Sequence, residues 1–202
     1  MTRWYSEKKR EHYYKQAKKQ GYRARSSYKL KQIQNKFHII SQGNIVLDFG
    51  AAPGGWSQVA KEFVGSDGLV IGVDLLPIKP IDDVVFYKGD ITDQKTIAWI
   101  QSNVGGREVN VVLSDMAPNI SGNYSMDHAQ SIFLNQHAFS VAKQMLSSKG
   151  HFVCKVFMGD LLQEFLDELK PLFESMKEFS PPASRKSSSE VYIICKSFKR
   201  NI

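Results

Sequence analysis

The sequence VLDFGAAPGGW, residues 46–56, is an apolar run that changes abruptly into a glycine-rich turn. Three further apolar runs end in carboxylates, at Asp74, Asp90 and Asp115. Parallel strands bring such turns to one edge of a sheet, where they hold nucleotide-like ligands. Glycines allow the backbone to approach a ligand, and carboxylates accept hydrogen bonds from ribose hydroxyls and an exocyclic amine. A single acidic turn is usually a cap or a tight turn, but four in this order favour a nucleotide-type site.

Apolar runs and helical patterns alternate along the chain. Strands are predicted at residues 45–48, 69–73, 84–88, 109–114, 151–157 and 191–196. Helices are predicted between them, at residues 56–63, shortly after Asp93, at 127–146 and from Leu161 to a kink or end at Pro171. The alternation predicts a doubly wound α/β fold, a mainly parallel sheet with helices on both faces. Because the last strand follows a long polar loop, it is a candidate antiparallel strand.

Size and composition indicate a single domain over residues 1–202. A hydrophobic fraction of 42% suits a folded core. No run of about eighteen apolar residues is present, and the N-terminus is charged where a signal peptide would be apolar. Cys154 and Cys195 lie in apolar runs and are predicted to be buried free thiols, and no metal-ligand spacing is present. We therefore expect a soluble cytoplasmic protein with no membrane contact and no metal, and a monomer by default.

The positive charge is concentrated in residues 1–36, which hold twelve Lys and Arg against two Glu, a net of +10 in a chain of net +7. Six aromatic residues are interleaved with these cations, namely Trp4, Tyr5, Tyr13, Tyr14, Tyr22 and Tyr28. Cations with aromatics suit a phosphate backbone with unstacked bases. The alternative is a solvated helix face whose tyrosines pack on the core. We predict a basic helical extension that contacts RNA, with helices over 5–20 and from a cap at Ser26 and Ser27 to Phe37.

The glycine spacing of the first turn narrows the choice of ligand. A dinucleotide site usually has G-x-G-x-x-G with a carboxylate about twenty residues further on. This chain has GAAPGG at residues 50–55, so the spacing that brings a pyrophosphate onto a helix N-terminus is missing. Asp74 is still placed to hold ribose hydroxyls and Asp90 to accept from an adenine amine. A ribose and adenine site without a pyrophosphate cradle fits S-adenosylmethionine.

The chain resembles the FtsJ family of RNA ribose 2′-O-methyltransferases, in particular the type that acts on large-subunit ribosomal RNA, over about residues 22 to 196. DFGAAPGGWSQ at residues 48–58 is similar to the cofactor loop of that family, and SDMAPN at 114–119 to its fourth-strand motif. The resemblance implies a cofactor site lined by Gly54, Trp56, Asp74, Asp90 and Asp115. It also implies a catalytic tetrad formed by Lys29, Asp115, Lys155 and Glu190.

The tetrad implies S-adenosylmethionine-dependent methylation of a ribose, with a uridine as the expected target. By the resemblance, Lys155 takes the 2′-hydroxyl proton, Asp115 orients Lys155, and Lys29 and Glu190 position the ribose. A lysine can accept a proton only when it is neutral, so an alternative remains in which a charged Lys155 orients the hydroxyl while solvent or Asp115 takes the proton. Without the resemblance, Lys29 and Glu190 would be interpreted as solvated surface charges.

Other functions stay open. A transfer RNA ribose methyltransferase of the same family would carry the same tetrad. A methyltransferase acting on adenine amino groups is less favoured, because such enzymes tend to carry Asn/Asp-Pro-Pro-aromatic where this chain has DMAP at residues 115–118. A catalytically silent RNA-binding assembly factor is the alternative from a different class, and the intact tetrad argues against it.

Overall fold

The computed structural model describes residues 12–184 and 189–200. Its strands are β1 (Ile45–Phe49), β2 (Leu69–Asp74), β3 (Val84–Lys88), β4 (Val109–Ser114), β5 (Leu146–Phe157), β6 (Phe173–Phe179) and β7 (Glu190–Phe198). They form one sheet in the order β3-β2-β1-β4-β5-β7-β6. The first five strands are parallel, and β7 runs antiparallel between β5 and β6. The predicted doubly wound, mainly parallel sheet and the antiparallel strand near the C-terminus are confirmed.

Helices cover both faces of the sheet. They are α1 (Ser27–Phe37), α2 (Gly55–Val64), α3 (Gln94–Val104), α4 (Tyr124–Met145) and α5 (Leu162–Leu169), and residues 12–19 are also helical. Successive residues of β1 point to opposite faces. Val46 packs in a core cluster with α1 and α2, whereas Leu47 belongs to the cluster formed with α3, α4 and α5. Both side chains are fully buried, as expected for a central strand covered on both faces.

The structure differs from the prediction in the second half of the chain. No strand is predicted at β6, which is an edge strand whose only buried residue is Phe173. An edge strand with one covered residue has too weak an apolar pattern to be recognised. The predicted end of the preceding helix is confirmed, since Pro171 lies in a short 3-10 turn after α5. Strand β5 begins at Leu146 rather than at residue 151 because its first residues pair with β4 across an irregular register.

The start of α1 is not capped as predicted. Ser26 occupies the N-cap position but its side chain makes no capping hydrogen bond. The Ser27 hydroxyl donates instead to the carbonyls of Ala24 and Gly55, at 2.8 and 3.0 Å. The serine therefore joins the start of α1 to the start of α2, next to the glycine turn that follows β1.

Part of the aromatic content of the basic extension is structural. Tyr13, Tyr22 and Tyr28 form a small cluster with Ala17 and Ala183, with ring centroids 5.3 Å apart for Tyr13 and Tyr28. For this cluster the structure supports the alternative, since these tyrosines pack against the protein. Tyr14 is exposed. Trp4, Tyr5 and the first part of the helix predicted over 5–20 lie outside the described residues.

The prediction for the two cysteines is tested directly. Cys154 and Cys195 are both free and buried, as predicted. Within residues 12–184 and 189–200, no helix is long and apolar enough to cross a membrane.

Candidate active site at the carboxyl ends of the strands

The four predicted catalytic residues form two ion pairs. The Lys155 ammonium, on β5, lies 2.9 Å from Asp115 Oδ1 and donates to the Asp115 carbonyl at 2.7 Å. Lys29, on α1, lies 2.5 Å from Glu190 Oε1 at the start of β7. The four side chains are only 9–15% exposed. Charges this well buried are costly unless they are paired, so each partner holds the other in place.

Tyr192 joins the two pairs and was not anticipated from the sequence. It is fully buried and lies directly opposite Lys155 in the β5–β7 ladder. Its hydroxyl donates to Asp115 Oδ1 at 2.7 Å, and Lys29 Nζ lies 5.5 Å from its ring centroid. Burial, followed by the negative charge of Asp115, holds the pKa of Tyr192 well above its usual value. The available signal was its position two residues after Glu190, which places it on the same face of a strand.

Glu190 is held in its ionised form. Burial alone would raise the pKa of its carboxyl, but the charge and the hydrogen bond of Lys29 outweigh that effect and lower the pKa. The positive charge of Lys155 acts in the same direction. Glu190 is therefore an anion at neutral pH.

The glycine turn after β1 packs tightly against two other loops. Gly50 has φ +75° and Gly54 has φ +109°, in the region that favours glycine. A Cβ on Gly50 would lie 2.7 Å from the side chain of Met116, the residue after Asp115. A Cβ on Gly54 would lie 2.8 Å from Ile81. The β1 turn, the β4 turn and the loop after β2 are thus in contact at this edge of the sheet.

Asp74 and Asp90 stand at the carboxyl ends of β2 and β3. The two oxygens of Asp74 accept from the amides of Ala52 and Leu76, at 2.9 and 2.8 Å. Asp90 Oδ1 accepts from the amide and hydroxyl of Thr92, at 2.9 and 2.8 Å. Each carboxylate has about four acceptor positions. Both retain acceptor capacity for a ligand hydroxyl or amine while their orientation is fixed by the backbone.

The side chain of Trp56 is part of the protein core. Its side chain is 2% exposed, its indole N–H donates to the Ser26 carbonyl at 2.9 Å, and its ring stacks on Tyr192 with centroids 5.6 Å apart. The indole is therefore engaged in contacts within the protein. The amide of Trp56, in the first turn of α2, is the part that can face a ligand, because amides there have no partner within the helix.

Asp48 adds a buried carboxyl beneath the glycine turn. It accepts from the Ser57 hydroxyl at 2.6 Å through Oδ2, and Oδ1 is buried with no hydrogen-bond partner among the described residues. Burial, with smaller contributions from Asp115 and Asp74, raises its pKa to about 7. A carboxyl at the end of β1 was quoted in the motif, but its burial could not be inferred from the sequence.

Arg23 is a second residue whose role the sequence did not reveal. Its guanidinium donates to the carbonyl of Pro53 at 3.3 Å, to that of Pro80 at 2.5 Å, and to that of Lys79. The sequence analysis counted Arg23 among the cations available for RNA. In the structure it joins the segment before α1 to the glycine turn and to the loop after β2. Within the described ranges, no group of three or more His, Cys, Asp or Glu side chains could hold a metal ion.

Comparison with known proteins assigns the family. Residues 22–198 match the family model of FtsJ-like methyltransferase. The chain belongs to this family. It is 51% identical over 187 residues to ribosomal RNA large subunit methyltransferase E of Methanothrix thermoacetophila, covering 93% of this chain and 72% of that protein. It is 48% identical over 200 residues to the protein of the same name from Methanocaldococcus jannaschii, covering 97% and 82%.

A solved structure agrees with this assignment. A protein from Plasmodium falciparum, described as a ribosomal RNA methyltransferase, superimposes with a TM-score of 0.80 at 28% identity. The match covers 88% of this chain and 98% of the other. The Rossmann-like methyltransferase fold predicted for this chain is thus confirmed.

In this FtsJ-like methyltransferase, Asp115 connects the two halves of the site. Its amide donates to the Phe49 carbonyl at 3.2 Å, next to the glycine turn, while its side chain holds Lys155 and Tyr192. A group donor bound at the glycine turn and an acceptor held by Lys155 would therefore meet at Asp115.

Proposed function

We propose that this FtsJ-like enzyme uses S-adenosylmethionine to methylate the 2′-hydroxyl of a ribose, expected to be that of a uridine, in large-subunit ribosomal RNA. The observation that carries the proposal is the nearly buried Lys155–Asp115 pair at the meeting point of the β1 and β4 turns. The names of the relatives supply the RNA class. Ribosomal RNA as substrate would place the enzyme in the cytoplasm.

The residues at the glycine turn fit this cofactor. Asp74 would accept from the ribose hydroxyls and Asp90 from the adenine amine, since both keep acceptor capacity. The close backbone at Gly54 and the amide of Trp56 would face the same ligand. When bound, S-adenosylmethionine supplies a methyl group on a sulfonium, which is already a good leaving group.

Lys155 is placed to take the proton of the attacking hydroxyl. Two of the bonding directions of its nitrogen are directed at Asp115, one at the carboxylate and one at the carbonyl. A neutral amine can donate both of these hydrogen bonds and still direct its lone pair along the remaining direction. The same geometry lets an ammonium point its third N–H there. In the neutral form Lys155 would take the proton of the 2′-oxygen, and in the charged form it would orient that oxygen while solvent or Asp115 takes the proton.

The other tetrad residues act by positioning. Asp115 and Tyr192 fix the direction of the Lys155 nitrogen. Lys29 and Glu190 form a nearly buried ion pair, which provides one donor and one acceptor group. Holding a hydroxyl in line with a reactive methyl group can supply a large part of the rate acceleration. We therefore assign these two residues to the target ribose.

The test compares 2′-O-methylated positions in ribosomal and transfer RNA from cells with and without this protein. We expect one large-subunit ribosomal position to lose its methyl group. Loss confined to transfer RNA would support the other ribose methyltransferase, and an unchanged map would support the silent assembly factor.

The purified protein provides the matching experiment. Lys155→Ala is expected to abolish methyl transfer and to leave cofactor affinity within about tenfold, or about 1.4 kcal/mol. Lys143→Ala, at an exposed lysine near the end of α4, is the matched control. Normal turnover by Lys155→Ala at saturating RNA would contradict the role given to this lysine.

A further inference from the structure

Four exposed apolar side chains lie in the segments that follow β4 and β5, the two strands that lead to Asp115 and carry Lys155. Ile120, Tyr124, Met158 and Leu161, here called the apolar rim, are 67%, 58%, 51% and 42% exposed. The first loop starts at Asp115, and the second follows the end of β5. Single exposed hydrophobic residues are ordinary on a protein surface. Four in the two segments that follow β4 and β5, one of them in the first turn of α4, suggest a binding surface.

Met158 lies three residues beyond Lys155, just past the carboxyl end of β5. The amide of Met158 donates to the Ser189 carbonyl at 2.9 Å, which continues the β5–β7 ladder one step beyond the pairing of Phe157 with Glu190. Three strand residues span about 10 Å at the usual rise of 3.3 Å. This separation between Lys155 and Met158 is comparable to the size of one nucleotide.

Tyr124 links the two loops. Its hydroxyl donates to the Met158 carbonyl, so its side chain reaches from the first turn of α4 to the loop after β5. More than half of the side chain nevertheless remains exposed. The Tyr124 hydroxyl is thus hydrogen-bonded within the protein, while much of the ring remains accessible to a ligand.

Asp127 fixes the loop before α4. Its carboxylate accepts from the amide and the hydroxyl of Ser121, at 2.8 and 2.7 Å, and from the amide of Gly122 at 3.3 Å. The hydrogen bonds from Ser121, chiefly from its amide, lower the pKa of Asp127. The loop that carries Ile120 is therefore held by an ionised carboxylate at neutral pH.

His128 fixes the other loop. Its Nε2 accepts from the Leu161 amide at 3.0 Å, so the proton is on Nδ1, which donates to the Phe157 carbonyl at 2.8 Å. The ring also fills the space where a Cβ on Gly159 would lie, 2.5 Å away. Both loops are therefore ordered before a ligand arrives, which reduces the entropy lost on binding.

We propose that the apolar rim holds the base of the nucleotide whose ribose reaches Lys155, an inference that rests on the proposed function. RNA bases that are modified in single-stranded regions are unstacked and then stack on aromatic and apolar side chains. None of the four rim residues carries a charge, which suits the face of a base better than a phosphate. A ribose placed at Lys155 brings its own base within reach of Tyr124 and Met158.

The experiment measures methyl transfer to unmethylated large-subunit ribosomal RNA transcribed in vitro. Tyr124→Ala is expected to raise the RNA KM about tenfold or more, as expected for one lost stacking contact. Tyr124→Phe keeps the ring and loses the hydrogen bond to Met158, and is expected to stay within about threefold of wild type. Cofactor affinity, measured by calorimetry, is expected to be unchanged. Phe133→Ala removes an equally exposed aromatic residue further along α4 and is the matched control.

The outcomes separate this inference from the function on which it rests. If the wild-type protein transfers no methyl group to ribose, the proposed function is contradicted. If wild type is active and Tyr124→Ala has an unchanged RNA KM, only the rim is contradicted. If Tyr124→Phe is as defective as Tyr124→Ala, the hydroxyl matters and base stacking does not. A defect seen only on assembled large subunits, and not on free RNA, would assign the rim to a ribosomal protein and overturn the proposal.

Discussion

The Tyr192 hydroxyl and the Lys155 ammonium donate to the same atom, Asp115 Oδ1, at 2.7 and 2.9 Å. Tyr192 and Lys155 are direct neighbours across β7 and β5, so both side chains leave the sheet on the same face. Two donors on one oxygen restrict the rotation of the Asp115 carboxylate. The direction of the Lys155 nitrogen therefore depends on a tyrosine outside the tetrad.

Tyr192→Phe is predicted to lower kcat and to leave cofactor binding nearly unchanged. The variant keeps the ring that stacks on Trp56 and removes only the hydrogen bond to Asp115. A hydrogen bond to a charged group contributes about 1.5–3 kcal/mol, so kcat is expected to fall about tenfold or more if Asp115 loses its orientation. Tyr87→Phe, at a ring on β3 that stacks on Trp99, is the control. A wild-type kcat would show that Lys155 suffices to orient Asp115.

Some residues of the candidate site could be assigned from the sequence alone, and others only from the family resemblance. The ends of strands can be read from apolar runs followed by turns, so Asp74, Asp90 and Asp115 were assigned together. The tetrad depended on the resemblance, because the pairing of Lys29 with Glu190 joins residues 161 positions apart. No periodicity in the sequence reports such a contact.

Other residues escaped prediction for a different reason. In the sequence, Tyr192 is indistinguishable from any other tyrosine in a strand. Arg23 is one of twelve cations in the basic extension. Their roles come from what the folded chain places around them, a carboxylate for one and three carbonyl groups for the other. Burial and hydrogen-bond partners decide the role in both cases, and both are properties of the tertiary structure.

Asp74→Ala is predicted to weaken S-adenosylmethionine binding about ten- to a hundredfold, the loss expected for one or two hydrogen bonds to a charged group. The substitution also frees the amides of Ala52 and Leu76, so part of the loss will come from the turn itself. Calorimetry measures the affinity, and a thermal melt without cofactor reports the loosening of the turn. Asp67→Ala, at an exposed acidic residue before β2, is the control. Unchanged affinity would remove Asp74 from the cofactor site.

Asp48 is predicted to make stability depend on pH. Its pKa is about 7 in the folded protein against an ordinary value of 3.8, so between these values the folded state binds more protons than the unfolded state. The free energy of unfolding therefore falls as pH rises from about 4 to 7, by at most about 4 kcal/mol from this group, and then levels off. Asp48→Asn should lack this component.

Urea unfolding of both proteins at several pH values tests the prediction. The free energy of Asp48→Asn, relative to wild type, is expected to rise across pH 4 to 7 and to be constant above about pH 8. Parallel curves for the two proteins would mean that Asp48 titrates like an exposed carboxyl. Ser57→Ala, which removes the hydroxyl donor to Asp48 Oδ2, should shift the wild-type transition to higher pH.

The final prediction concerns RNA binding by the helix at residues 12–19. Deleting residues 1–20 would remove buried Ala17 and the hydrogen bond from Tyr28 to Gln20, at 2.7 Å. A loss of RNA binding could then not be separated from a loss of packing within the protein. Lys18 and Lys19 are exposed and can be changed alone.

If both lysines contact phosphates, the double change to Gln should weaken RNA binding and reduce the slope of log K against log salt concentration by about one to two. A salt series of binding curves measures this, with a Lys143→Gln, Lys170→Gln double variant of equal charge as control. Equal slopes for the two double variants would mean that these lysines only solvate the helix, and RNA would have to be held by other residues around the active site.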